Sequence, residues 1–212
     1  MKRLLYLILA SASLLIARTP ALAQLQEKDF DLAIEKKVAD CFRAHDGYDP
    51  TAHVTLQRGD LNDVLILHAE HLKPNIAFDL FTIQNSNLLA DGSLDPNFKN
   101  FGLAWYQSDV QADGNGKADV MIKTILLDQI FGFDPGVGLG PTNTFNVGFW
   151  FNDPNDAAPC GFDPNKPTPF NGEHKAGPAA MISLPDATTN LGPLCTNPVE
   201  VGAGGGHFVC HP

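Results

Sequence analysis

Side chains that alternate between apolar and polar over several residues can bury one face only as a β-strand, and this chain repeats that period-two pattern along its length. Phe145, Val147, Phe149 and Phe151 alternate with Asn146, Gly148, Trp150 and Asn152. Val54 and Leu56 alternate with Thr55 and Gln57, and Ala118, Val120 and Ile122 form a third set. Phe101, Leu103 and Trp105 form a fourth. Val64 to Leu67 is apolar on both faces, which predicts a central strand, and the β-branched and aromatic run Ile76 to Ile83 predicts another. Arg58-Gly59-Asp60 and Lys73-Pro74-Asn75 punctuate these runs as turns. Asp113-Gly114-Asn115-Gly116 is the strongest turn signal, and it predicts a hairpin joining the strands on either side.

One segment reads differently. From Asp29, the apolar residues Phe30, Ile34, Val38 and Cys41 fall at helical spacing, and His45-Asp46-Gly47 stops them, so a single N-terminal helix is expected. Between Asp153 and Pro198 nine prolines exclude long elements, apart from Ala179 to Leu184. His207 to Cys210 reads as a short final strand. The expected fold is mainly β: an antiparallel β-sandwich, Ig-like or SOD-like, with one N-terminal helix and a loop-rich C-terminal lobe. A barrel is the second arrangement that fits.

Lys2 and Arg3 precede an apolar run from Leu4 to Ile16, and Ala21-Leu22-Ala23 follows as a small-x-small cleavage pattern. This is the order of a secretory signal peptide over residues 1–23, leaving 24–212 as one exported domain. Cleavage removes Lys2, Arg3 and Arg18 and deepens the formal charge of −10 to −13. Such acidity argues against nucleic acid as a partner. No later stretch approaches the roughly 18–20 apolar residues that span a bilayer, so no membrane span is expected in the mature chain. The predicted location is secreted or periplasmic. The chain has no Asn-x-Ser/Thr acceptor, which agrees with a bacterial exported protein.

Export also bears on Cys41, Cys160, Cys195 and Cys210, an even set expected to form two disulfides. The preferred pairing is nested, Cys41–Cys210 outside Cys160–Cys195, with the inner bridge closing the proline-rich stretch. Cys41–Cys160 with Cys195–Cys210 competes with it.

Three constellations bear on metals. Placing Gly116 at position 6 of a calcium loop puts Asp113, Asn115 and Asp119 at the liganding positions 3, 5 and 9. It also puts Gln111 and Ile122 where a carboxylate and a bidentate glutamate are needed, so a hairpin turn explains the residues more economically. His68-Ala69-Glu70-His71 lies at a strand end, where His68 and Glu70 share one face and His71 points the other way. Cys160, His174, Met181, His207 and His211 form a soft-ligand set of the kind copper prefers, but their spacing departs from that of a blue-copper loop.

Phe149-Trp-Phe-Asn-Asp153, Cys160-Gly-Phe-Asp-Pro164 and Glu173-His-Lys-Ala-Gly177 together resemble the metal-binding region of copper–zinc superoxide dismutases, a secreted β-sandwich class. Where that family has its His-x-His strand, this chain has Trp150 and Asn152, so the resemblance implies neither a ligand set nor an activity. No Gly-x-Ser-x-Gly elbow and no phosphate-binding glycine loop after a strand is present. What remains is aromatic. Tyr106 and Trp150 fall on strand faces opposite to Trp105 and Phe149, and exposed there they would make a stacking platform for a sugar ring. The expected function is therefore a non-catalytic binding or structural role outside the cell or in the envelope, with a carbohydrate or protein ligand. A metal-binding or metal-dependent secreted enzyme built on residues 153–198 is the alternative.

Overall fold

The computed structural model describes residues 27–124, 132–134, 138–166, 168, 175–202 and 204–211. The expected leader, and His174 of the copper set, lie outside the described residues. The strands and helices run β1 (Glu27–Ile34), α1 (Lys36–Asp46), β2 (Thr51–Gln57), β3 (Asp63–Glu70), β4 (Ala77–Ile83), β5 (Ala104–Gln111) and β6 (Ala118–Thr124). They continue as β7 (Gly132–Asp134), β8 (Leu139–Thr142), β9 (Asn146–Phe151), the one-turn α2 (Pro154–Ala157), β10 (Ala179–Ser183), β11 (Pro198–Glu200) and β12 (Phe208–Cys210).

Eight of these strands form one antiparallel sheet in the order β5-β4-β9-β10-β1-β2-β3-β6, curled nearly into a barrel. β1 is the hinge of the arrangement. Its first half, Glu27–Asp31, pairs with β2, and its second half, Leu32–Ile34, pairs with β10. One strand thereby serves two half-sheets, and their inner faces share a single core that includes Leu32, Val54, Leu67, Phe78, Phe149 and Met181. Alternation drives this directly: in β2, Ala52, Val54 and Leu56 are buried while Thr51 and His53 are exposed. β3 is central, as the doubly apolar run predicts, lying between β2 and β6.

The helix expected from Asp29 begins only at Lys36; residues 27–34 are a strand instead. Phe30 and Ile34 are four apart, but Phe30, Leu32 and Ile34 also alternate with the exposed Asp29 and Asp31. Both periods fit this short stretch, and ladder pairing with β2 and β10 decides between them. The true helix buries Val38, Ala39 and Phe42, and the Phe42 ring lies 5.9 Å from that of Phe151. It ends at Gly47, whose left-handed φ of 87° suits a residue without a Cβ.

The preferred disulfide pairing is also corrected. Cys41 bonds Cys160 and Cys195 bonds Cys210. α1 carries Cys41 to the short 3-10 turn Ala158–Cys160 that follows α2, and the β11–β12 hairpin brings Cys210 back towards Cys195. The nested pairing would have required Cys41 and Cys210 to meet, but Cys41 on α1 lies against Cys160 and Cys210 on β12 lies against Cys195.

The Asp113-Gly-Asn-Gly turn forms, but not as the turn of a paired hairpin. β5 pairs with β4, β6 pairs with β3, and the two lie at opposite ends of the strand order. The turn closes on Asp113, whose Oδ1 accepts from the backbone N–H of Asn115 (2.8 Å) and Lys117 (2.9 Å). It docks on the loop after β3, where Leu72 N–H donates to Gly116 O at 2.9 Å.

Candidate functional site

The aromatic platform expected from Tyr106 and Trp150 is not assembled. Trp150 is wholly buried, edge-on to Phe81 and Phe101 at 5.5 Å and 5.2 Å. Both faces of β9 are covered, one by the main core and the other by a smaller core of Phe81, Ile83, Leu88, Trp150, Ala176 and Ile182. Tyr106 remains on the surface, 51% exposed, and its hydroxyl donates to Asp109 Oδ1 at 2.8 Å. Partial burial first, and then Asp109, pushes its phenol up to about 12. Trp105 is 38% exposed and lies flat on Phe145, with ring centroids 5.6 Å apart.

The metal candidates are likewise dispersed. Asp113 spends its carboxylate on its own turn, and these backbone donors, Lys117 N–H foremost, hold it below the usual carboxylate range. Asp119 hydrogen-bonds His68 instead. Cys160 is oxidised and Met181 is buried in the main core, so the soft-ligand set does not converge. His71 lies just past the end of β3 at a left-handed φ of 60°, and it pairs with Asp46 at 2.8 Å while stacking on Tyr48. Among the described residues no group of three or more His, Cys, Asp or Glu is arranged to hold a metal ion.

Asp79 and Asp109 are two acids directly opposite each other across β4 and β5. Each is occupied: Asn152 Nδ2 donates to Asp79 at 2.7 Å, and Tyr106 donates to Asp109. On the outer face of the other half-sheet, Asp31, His53, His68 and Asp119 form a straight row across four strands. His53 contacts Asp31 at 2.8 Å and Asp29 at 3.4 Å; His68 contacts Asp119 at 2.6 Å and Glu70 at 3.4 Å.

A polar cleft of about 360 Å³ opens where the long loop after β4 meets the turn after β10. Gln84 anchors the loop. Its Oε1 accepts from Leu103 N–H at 2.8 Å, and its Nε2 donates to Thr142 Oγ1 at 3.0 Å. Asn146 Nδ2 donates to Gln84 O, and Asn146 Oδ1 accepts from Ser183 Oγ, so the floor is fixed by buried hydrogen bonds. The walls carry Asn85, Asn97, Asn100 and Asn190 together with the half-buried Phe98, whose ring lies 4.7 Å from that of Phe101. Asn85 and Asn100 are tied to the loop backbone, whereas Asn97 and Asn190 are exposed. Asp95 and Lys99 are the charged lining residues. The concentration of Asn85, Asn87, Asn97 and Asn100 is the signal this segment carries in the sequence.

Compared with models of known protein families, the chain matches none, and no curated protein is significantly similar to it. No helix among the described residues is long and apolar enough to cross a membrane.

Proposed function

We propose that this is an exported, non-catalytic binding protein whose ligand is a neutral polyhydroxylated molecule, a saccharide, taken up by the asparagine-lined cleft. The observation that carries the reading is the lining itself. A primary amide offers a donor and an acceptor side by side, which matches adjacent sugar hydroxyls without demanding a charge. Phe98 supplies an apolar ring for the C–H face of a pyranose. Hydrolysis of a glycosidic bond generally employs two carboxyl groups flanking the bond, and Asp95 is the one carboxylate among the described lining residues. The leader-like N-terminus and the two disulfides support an extracytoplasmic setting, where such ligands occur.

Screening the mature, oxidised protein on an array of oligosaccharides, followed by calorimetry of the best ligand, tests this. Asn97→Ala and Asn190→Gly are suitable variants; the second is compatible with the left-handed φ of 57° at that position. Each is expected to weaken binding by about threefold to tenfold, the worth of one or two hydrogen bonds. No binding across the array, or binding indifferent to both substitutions, overturns the reading.

A further inference from the structure

Along β1 the odd positions Glu27, Asp29 and Asp31 are exposed, and the even positions turn inward, with Leu32 buried and Phe30 packed against the main core. Lys28 holds an even position. It is registered opposite Leu56, which is fully buried, so a lysine occupies the end of a strand's apolar side. Its ammonium group reaches the segment after β10 and donates to the Cys195 carbonyl at 3.0 Å.

A pocket of about 470 Å³ opens around it, with Leu184, Leu191, Pro193 and Pro198 supplying apolar wall. Of the described lining residues, Lys28 alone is basic. The two acids of the rim each have one carboxylate oxygen engaged by uncharged donors. Asp186 Oδ1 accepts from the backbone N–H of Thr188 and Thr189 and from Thr189 Oγ1 at 2.8–3.1 Å. Glu27 Oε2 accepts from Gln57 Nε2 at 3.1 Å. An ammonium carries three N–H donors, and one carbonyl does not use them all. Burial pulls the Lys28 ammonium below its ordinary range, against the opposing pull of Asp186.

We propose that this pocket is a second binding site, for a small amphiphilic carboxylate whose anionic head pairs with Lys28 Nζ and whose aliphatic body lies on the leucine and proline wall. The charge match fixes the head, and the wall fixes the orientation of the tail. This site is separate from the asparagine-lined cleft and does not depend on it.

Calorimetry of the full mature, disulfide-bonded protein with octanoate is the test, with octanol as the uncharged probe of equal tail length. Octanoate is expected to bind at least about tenfold more tightly than octanol, in line with a charge-assisted hydrogen bond at the head. Lys28→Met, which keeps the length of the stem, is expected to abolish that preference, and Lys28→Arg to retain it. The side-chain resonances of Lys28 should also shift on adding octanoate to the unsubstituted protein, a readout independent of whether the variants fold. Absence of octanoate binding, equal affinity for octanol, an undiminished preference in a folded Lys28→Met protein, or unmoved Lys28 resonances each overturn the proposal. Saccharide binding is measured on different residues, so failure here leaves it unaffected.

Discussion

His53 on β2 and His68 on β3 are direct cross-strand partners, yet each imidazole engages its own two carboxylates, Asp31 and Asp29 for the first, Asp119 and Glu70 for the second. Asp29 and Glu70 lie on opposite sides of the row along the strands, so the two Nε2 atoms are directed apart. The arrangement is a charge ladder, with two potential cations flanked by four acids on a solvent-facing sheet.

That ladder predicts a pH dependence with a definite sign. The hydrogen bond to Asp31 raises the His53 pKa above its ordinary value near 6.5, and the hydrogen bond to Asp119 does the same for His68. A raised folded-state value means the stabilisation is complete below about 6.5 and fades as pH rises through the folded value. The thermal midpoint should therefore fall between about pH 6 and pH 8, modestly, because both rings are exposed. The double variant His53→Gln/His68→Gln should flatten this decline in melts followed by circular dichroism; an unchanged slope would refute the assignment.

Thiol titration of the denatured, unreduced protein should find no free cysteine. Peptide mapping after proteolysis under non-reducing conditions should recover Cys41 joined to Cys160 and Cys195 joined to Cys210. In the chain-entropy view the first closes a long loop worth about 5 kcal/mol and the second a 15-residue separation worth about 3 kcal/mol. Paired serine substitutions should rank in that order in denaturant unfolding.

The chain has two tryptophans, one buried and one at the surface. Iodide should quench the emission of Trp105 and leave that of Trp150 nearly untouched, so removing Trp105 should leave a blue-shifted, quencher-resistant spectrum. Trp150→Ala should cost about 3–5 kcal/mol of stability, the usual loss for emptying an aromatic site in a core. Equal quenching of both tryptophans would contradict the second core.

Gly116 has a φ of 75°, and a Cβ built there would stand 2.2 Å from Leu72 O. Gly116→Ala should therefore destabilise the protein by about 2 kcal/mol or more, because strain and a backbone clash coincide. Gly114→Ala, with open space around the added carbon, is the control and should cost far less. Similar losses for both would remove the docking of the turn on Leu72.

Period-two alternation was sufficient to read β2, β6 and β9 as strands, β-branched and aromatic content did the same for β4, and the proline-rich composition after Asn152 limited that region to short elements. These are properties of neighbouring residues, and neighbouring residues write them. Residues 27–34 match two periods at once, so their state was fixed only when β2 and β10 supplied ladder partners. The turn at Asp113 was legible, but the partners of its flanking strands were not, because pairing depends on which edges the folded sheet leaves free. Trp150 shows the same limit: alternation says that its side chain opposes Phe149, but not that residues from the loop after β4 cover it. The cleft and the Lys28 pocket are further still from local sequence, since their walls come from distant segments that share no period, 85–100 with 138, 146 and 185–190 for the first and 27–28 with 184–198 for the second. Sequence alone determined most of the strands, β1 excepted, and the apolar side chains that alternate along them. Tertiary structure decided which faces are covered, which cysteines meet and where a ligand could lodge, because those outcomes depend on contacts between distant parts of the chain.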